Sequence, residues 1–130
     1  MRLETGWDIK RSLARINYKI HTDAIKEVIV PQTITLQQAV ITYASEADVL
    51  NMALFGMTAK EWRYKNPELT GNIRDYASVE QLVILSNLES LNAVFIRQGL
   101  PQKERLLALN EIAITQFRSL SKHGSIKQLK

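Results

Sequence analysis

The chain has 130 residues, 45% of them apolar, and a net charge of +4, which predicts a single domain with a real core. It has no cysteine, which excludes disulfides and thiolate–metal sites. No apolar run of about 18 residues predicts a membrane span, and the start, "MRLETGWDIKRSL", lacks the apolar centre of a signal peptide, so the expected location is cytoplasmic, away from membranes.

In "GWDIKRSLARINYKIHTDAIKEVIVP" the residues Ile9, Leu13, Ile16, Ile20 and Ala24 recur at steps of three and four, the stripe of an amphipathic helix. Pro31 ends it, because the residue before a proline is pushed out of the helical region. Thr22 and Asp23 are cap-type residues, which places a bend near His21. The next stretch, "QTITLQQAVITYAS", carries the β-branched run Val40-Ile41-Thr42. A short strand near 36–43 and a helix starting near Leu36 are both open there. Ser45, with Asp48 three positions on, reads as a helix start, and Gly56 as its stop. Thr58 caps a short helix from Ala59 to about Lys65, which Asn66-Pro67 halts. "ELTGNIRDYA" is a loop in which Arg74 and Asp75 are expected to act as hydrogen-bonded pins. Ser78 with Gln81 is a capping box opening the longest helix, Val79 to about Gln98. Gly99 closes it, Pro101 suits the first turn of the last helix, to about Ser121, and the short link forces an antiparallel hairpin. The expected fold is all-α, with about five helices in one domain over residues 1–121. Residues 122–130 are expected to form a basic, flexible tail.

Charge is uneven. Residues 98–130 carry six Lys or Arg against two acids, and none of the four positive charges from Arg118 onward has an acidic neighbour in the tail. Lys60, Arg63, Lys65 and Arg74 are interleaved with Trp62, Tyr64 and Tyr76, a pattern that can contact nucleic acid. Glu61, Glu68 and Asp75 dilute that field, and Trp62 reads first as a core anchor. His21 and Asp23 with Glu46 and Asp48 are the only residues that suggest a metal group, and their spacing does not demand one. No glycine-rich phosphate loop, GxSxG or HExxH occurs. The expectation is therefore no enzyme, no catalytic residue, no cofactor and no metal.

The last two helices carry apolar stripes, Leu82, Leu85, Leu88, Leu91 and Phe95 on one and Leu106, Leu109, Ala113, Phe117 and Leu120 on the other. Val83, Val94, Leu107 and Ile114 add apolar residues outside them. Helices apolar on more than one side need more than one partner. A homodimer is expected, with Leu106, Leu109, Ala113, Phe117 and Leu120 as the candidate interface. Asn87, Asn92 and Asn110 beside the stripes are candidates for a buried polar pair that fixes register.

The strings "INYKIHTDAIKE", "YASEADVLNMALFG", "TAKEWRYKNPEL", "GNIRDYAS", "QLVILSNLESLNA" and "ERLLALNEIAITQ" together resemble the region after the DNA-binding domain in KilA-N domain proteins of phages, prophages and related bacteria. The resemblance runs from about Gly6 to Leu120. It implies an accessory module of a phage-type DNA-binding regulator, with the KilA-N domain itself lying upstream. DNA would then be reached indirectly, through that domain. The alternative is direct nucleic-acid contact through Lys60, Arg63, Lys65, Arg74 and the basic tail.

Overall fold

The structure is a computed structural model that describes residues 6–33, 35–121 and 129. It is all-α: α1 (Gly6–Ala24), α2 (Leu36–Phe55), α3 (Ala59–Lys65), α4 (Val79–Arg97) and α5 (Gln102–Leu120), with no strand among the described residues. The expected tail lies almost entirely outside them.

The helix starts follow local chemistry. Thr58 with Glu61 and Ser78 with Gln81 form reciprocal capping boxes, each side chain satisfying a backbone N–H that has no helical partner. A third box corrects the reading of residues 36–43. Thr35 accepts from the Gln38 N–H at 3.1 Å while the Thr35 N–H donates to the Gln38 side chain at 3.1 Å. That cap starts α2 at Leu36 and outweighs the β-preference of Val40-Ile41-Thr42, so the open alternative of a strand falls. It also displaces the expected start at Ser45, which lies in mid-helix. The stops behave as read. Gly56 has φ +73° and Gly99 φ +78°, left-handed conformations that cost a side-chain-bearing residue about 1 kcal/mol or more. At Gly99 the Leu100 N–H reaches the Phe95 carbonyl and the Gly99 N–H reaches that of Ile96, both at 3.0 Å. This double closure turns the chain back into α5.

The first helix differs from expectation at its end. It has no break at His21, since Thr22 donates its hydroxyl back to the Lys19 carbonyl at 3.2 Å. Instead a π-helical turn (Ile25–Ile29) leads into a 3-10 turn (Val30–Gln32) that includes Pro31. Proline has no N–H to donate, and the Val28 carbonyl three residues before it accepts from the Gln32 side chain at 3.0 Å; the Val30 carbonyl closes the turn, accepting from the Thr33 hydroxyl at 2.6 Å and the Thr33 N–H at 2.9 Å.

Helix directions follow from the contacts. Asn17 meets Ser86, His21 meets Asn92 and Glu27 meets Arg97, so residue numbers rise together and α1 lies parallel to α4. Ser45 meets Gln102, Glu46 meets Arg105 and Ala53 meets Asn110, so α2 is likewise parallel to α5. The main core lies among α2, α4 and α5, around Leu50, Leu54, Ile84, Leu88, Leu109 and Ala113. A smaller one, Ala24, Ile25, Ala93 and Ile96, seats the end of α1 on the opposite side of α4. Serving two cores gives α4 apolar residues on more than one side, so its length and composition alone would also suit a membrane crossing.

This layering relocates the apolar surplus. Leu109 and Ala113, expected at a dimer face, are 0% exposed inside the core. Leu106 and Phe117 are half-buried against it, and of the five candidates only Leu120 stands out, at 47%. Among the described residues an uncovered stripe runs along α1, where Ile9, Leu13, Ile16 and Ile20 are 41–55% exposed, and Leu36, Val40 and Ile41 at the start of α2 are exposed as well. The cause of the α1 stripe is geometric, because α1 is an outrigger that meets α4 through Asn17, His21 and Ala24, about a quarter turn from the stripe at ~100° per residue.

Candidate functional site

Four helices meet at one buried polar cluster. Arg105 on α5 grips Glu46 on α2 with both terminal nitrogens, Nη2 to Oε2 at 2.9 Å and Nη1 to Oε1. Its Nε donates to the Leu100 carbonyl at 2.9 Å, and Nη1 also donates to Asn92 Oδ1 on α4 at 3.1 Å. Gln102 adds a bond to Glu46 Oε2 at 2.9 Å. Asn92 Nδ2 then reaches His21 Nε2 on α1 at 2.9 Å.

The proton positions follow by elimination. A guanidinium has no acceptor, so the Asn92 atom facing Arg105 must be the oxygen, and its amide N–H₂ must face His21. Nε2 of His21 is therefore the acceptor, and the ring is neutral with its proton on Nδ1. Burial points the same way: it is the main influence pushing His21 down to about 4, helped by the Arg105 and Arg74 charges against the opposing pull of Glu46. Burial also pushes Glu46 up, but hydrogen bonds and charge from Arg105, with Gln102 and Asn92, outweigh it and hold that carboxyl below its ordinary value. A paired, fully hydrogen-bonded ion pair with a neutral histidine is a structural tie, with no group poised to exchange a proton near neutrality. Of the residues weighed for a metal, His21 and Glu46 belong to this tie. Asp23 pairs with Lys19 at 2.7 Å, and among the described residues no three metal-binding side chains gather.

The second feature is a groove of about 430 Å³ between the first half of α1 and the start of α4. Leu13, Ala14, Leu82, Val83 and Leu85 are among its apolar lining, and Arg11, Asn17, Arg74 and Glu89 are among its polar lining. Asn17 donates to Ser86 at 2.7 Å. Glu89 is 3% exposed, and its Oε2 has no hydrogen-bond partner among the described residues. Burial pushes its carboxyl up to about 7, and the Arg74 charge only partly offsets this. Thus Glu89, unlike Glu46, titrates near neutral pH.

Of the four basic residues expected at a nucleic-acid face, two are engaged within the domain. Arg63 is the loop's pin: its guanidinium donates to the Leu69 and Gly71 carbonyls and lies 4.9 Å over the Trp62 ring. Trp62 is buried, as expected of a core anchor. Arg74 was expected to pin the loop with Asp75. Asp75 does so, accepting from the Asn72 N–H at 2.8 Å. Arg74 contributes only its backbone N–H, to Asn72 Oδ1 at 2.9 Å, and its side chain lines the groove. Lys60 and Lys65 are exposed on α3. Arg105 and Glu89 were not singled out by the sequence reading, and Glu46 was weighed only as a metal ligand, although acidic and basic residues interrupt apolar rows here: Leu82, Leu85, Glu89, Ala93 and Ile96 step by three and four along α4.

Compared with protein-family models, curated proteins and solved structures, the chain matches none of them.

Proposed function

We propose that this chain is a non-enzymatic assembly module of a KilA-N-type DNA-binding regulator, pairing two copies through the uncovered face of α1 and α4. The six sequence strings support the regulator half of this reading. The observation that carries the assembly half is the exposed stripe Ile9, Leu13, Ile16 and Ile20. On α4, Val83 and Val94 are 41% and 49% exposed, a quarter turn from the α1 contact in the opposite sense. Around two parallel helices, opposite quarter turns bring both rows to the same side. Two 19-residue helices, each ~28 Å long and ~10 Å wide, offer on the order of 600 Å² per copy. Two such faces bury about 1,200 Å², the lower limit for a specific interface. A two-fold contact between them makes a four-helix arrangement, the commonest remedy for a self-complementary apolar face. Holding two copies together raises the affinity of linked DNA-binding domains through effective concentration alone.

The test is sedimentation equilibrium from low to high micromolar concentration. The parent is expected to shift toward twice the monomer mass. Ile16→Glu with Ile20→Glu should stay monomeric with its helicity intact, since both side chains are exposed. A parent that remains monomeric throughout would sink the reading. A salt titration of DNA retention separates the alternative, because direct contact through Lys60, Lys65 and the tail weakens steeply with salt and a leucine–isoleucine contact does not.

A further inference from the structure

The groove beside Glu89 has a chemistry that assembly leaves unused. One oxygen of the buried Glu89 carboxylate has no hydrogen-bond donor among the described residues, and native structures rarely leave a buried carboxylate oxygen without one. The missing partner is a donor, and for an ionised carboxylate in a buried wall the best donor is an ammonium. Arg74 stands in the same groove, its guanidinium without a hydrogen bond among the described residues and close enough to act on the Glu89 charge. A bare cation would be repelled by Arg74, and a bare anion by Glu89. A molecule carrying both charges satisfies both groups. Arg11 adds a second positive charge to the lining, and Leu13, Leu82, Val83 and Leu85 form an apolar wall that asks for an apolar body. A volume of about 430 Å³ lies at the small end of ligand cavities, enough for one small molecule. We propose that this groove binds an apolar α-amino acid as its zwitterion, ammonium to Glu89, carboxylate to Arg74 and side chain among Leu13, Leu82 and Val83.

Leu13 and Val83 belong to both this groove and the proposed pairing face, so binding is measured on the parent and on the Ile16→Glu, Ile20→Glu variant, whose changes lie outside the groove. The inference does not depend on pairing. The probes are L-leucine and L-phenylalanine, titrated by calorimetry and by amide chemical shifts at about pH 8, above the Glu89 value. Saturable binding to the parent or to the monomeric variant is expected, with shifts centred on residues 82–89 and 13–17. Glu89→Gln and Arg74→Gln should each weaken it about tenfold or more, the loss of one charge-assisted hydrogen bond. 4-Methylpentanoate, which lacks the ammonium, and isoamylamine, which lacks the carboxylate, should lose as much. Leu82→Trp, a filling change at a partly exposed position, should block binding while helicity persists. The proposal is overturned by no saturable binding in either protein, by undiminished binding in Glu89→Gln, or by either half-analogue binding as well as the amino acid.

Discussion

Replacing Glu89 by Gln should stabilise the protein at alkaline pH and leave it nearly unchanged at acid pH. The carboxyl is raised from 4.5 to about 7 by burial. A raised acid is protonated in the folded state when the unfolded chain has already lost the proton. Below about pH 4.5 both states are neutral and Glu89 exacts no charge cost. As the pH climbs through the folded value, stability falls, and above about pH 8 the full cost is present. At about 1.4 kcal/mol for each pH unit between the two values, the ionised side chain costs the fold about 3 kcal/mol. That is a large share of a total of about 5–15 kcal/mol. Glutamine keeps the shape and carries no charge, so the stability difference between variant and parent should open from near zero at about pH 4.5 to ~2–3 kcal/mol at about pH 8. Urea denaturation of both proteins, followed by far-ultraviolet circular dichroism at matched pH, measures it. Every other titrating group is common to the pair and cancels. A difference that stays flat from acid to alkaline pH would refute the reasoning, because it would mean that Glu89 is solvated or paired in solution.

The buried ion pair gives a second expectation. Arg105→Met alone strands Glu46 and should cost about 3–5 kcal/mol, whereas Arg105→Met with Glu46→Leu should recover most of the loss, as a urea double-mutant cycle would show. His21 gives a third. Its folded value, near 4, lies below the ordinary 6.5, so its contribution is complete above about pH 6.5 and is lost as pH falls through 4. His21→Asn should therefore be more resistant to acid than the parent between those values, and equal acid sensitivity in acid-titration melts would remove histidine from the account.

Most of the architecture was legible because it rests on local chemistry. Gly56, Thr58, Ser78 with Gln81, and Gly99 each fix a helix end through a backbone geometry that two or three neighbouring residues determine. The same kind of signal at Thr35 with Gln38 was not read, so Val40-Ile41-Thr42 left a strand and a helix from Leu36 both open. Those residues turn out to lie on a helix whose first turns are exposed, where β-branching costs little and the cap decides. Arg63 and Arg74 exchanged roles for another reason. Both are basic residues near one loop, and only the fold shows that Leu69 and Gly71 turn their carbonyls toward Arg63. The polar tie needed residues 21, 46, 92 and 105 to meet, which no single-helix pattern reveals, although an Arg in the row Arg105, Leu109, Ala113 was a readable anomaly.

The misplaced apolar surplus follows from counting stripes without knowing helix directions. Given an antiparallel α4–α5 hairpin, apolar residues on several sides of both helices suggest an excess on α5. The parallel α2–α5 contact absorbs that excess, because Ala53 and Asn110 lock the two helices together at 2.9 Å and bring Leu54 and Leu109 into one core. What is left for α1 is the far side of α4, which it grips with Asn17 and His21, polar residues in partner-specific bonds, and with Ala24. Polar bonds of this kind set register and direction more than they supply net stability. An amphipathic helix held by its polar flank keeps its apolar stripe turned outward, and water is a poor partner for Ile9, Leu13, Ile16 and Ile20. The seat of α1 is thus specified by hydrogen bonds with α4, which leaves its apolar face uncovered among the described residues. Under the proposed pairing a second copy presents the same stripe at the same angle and covers it.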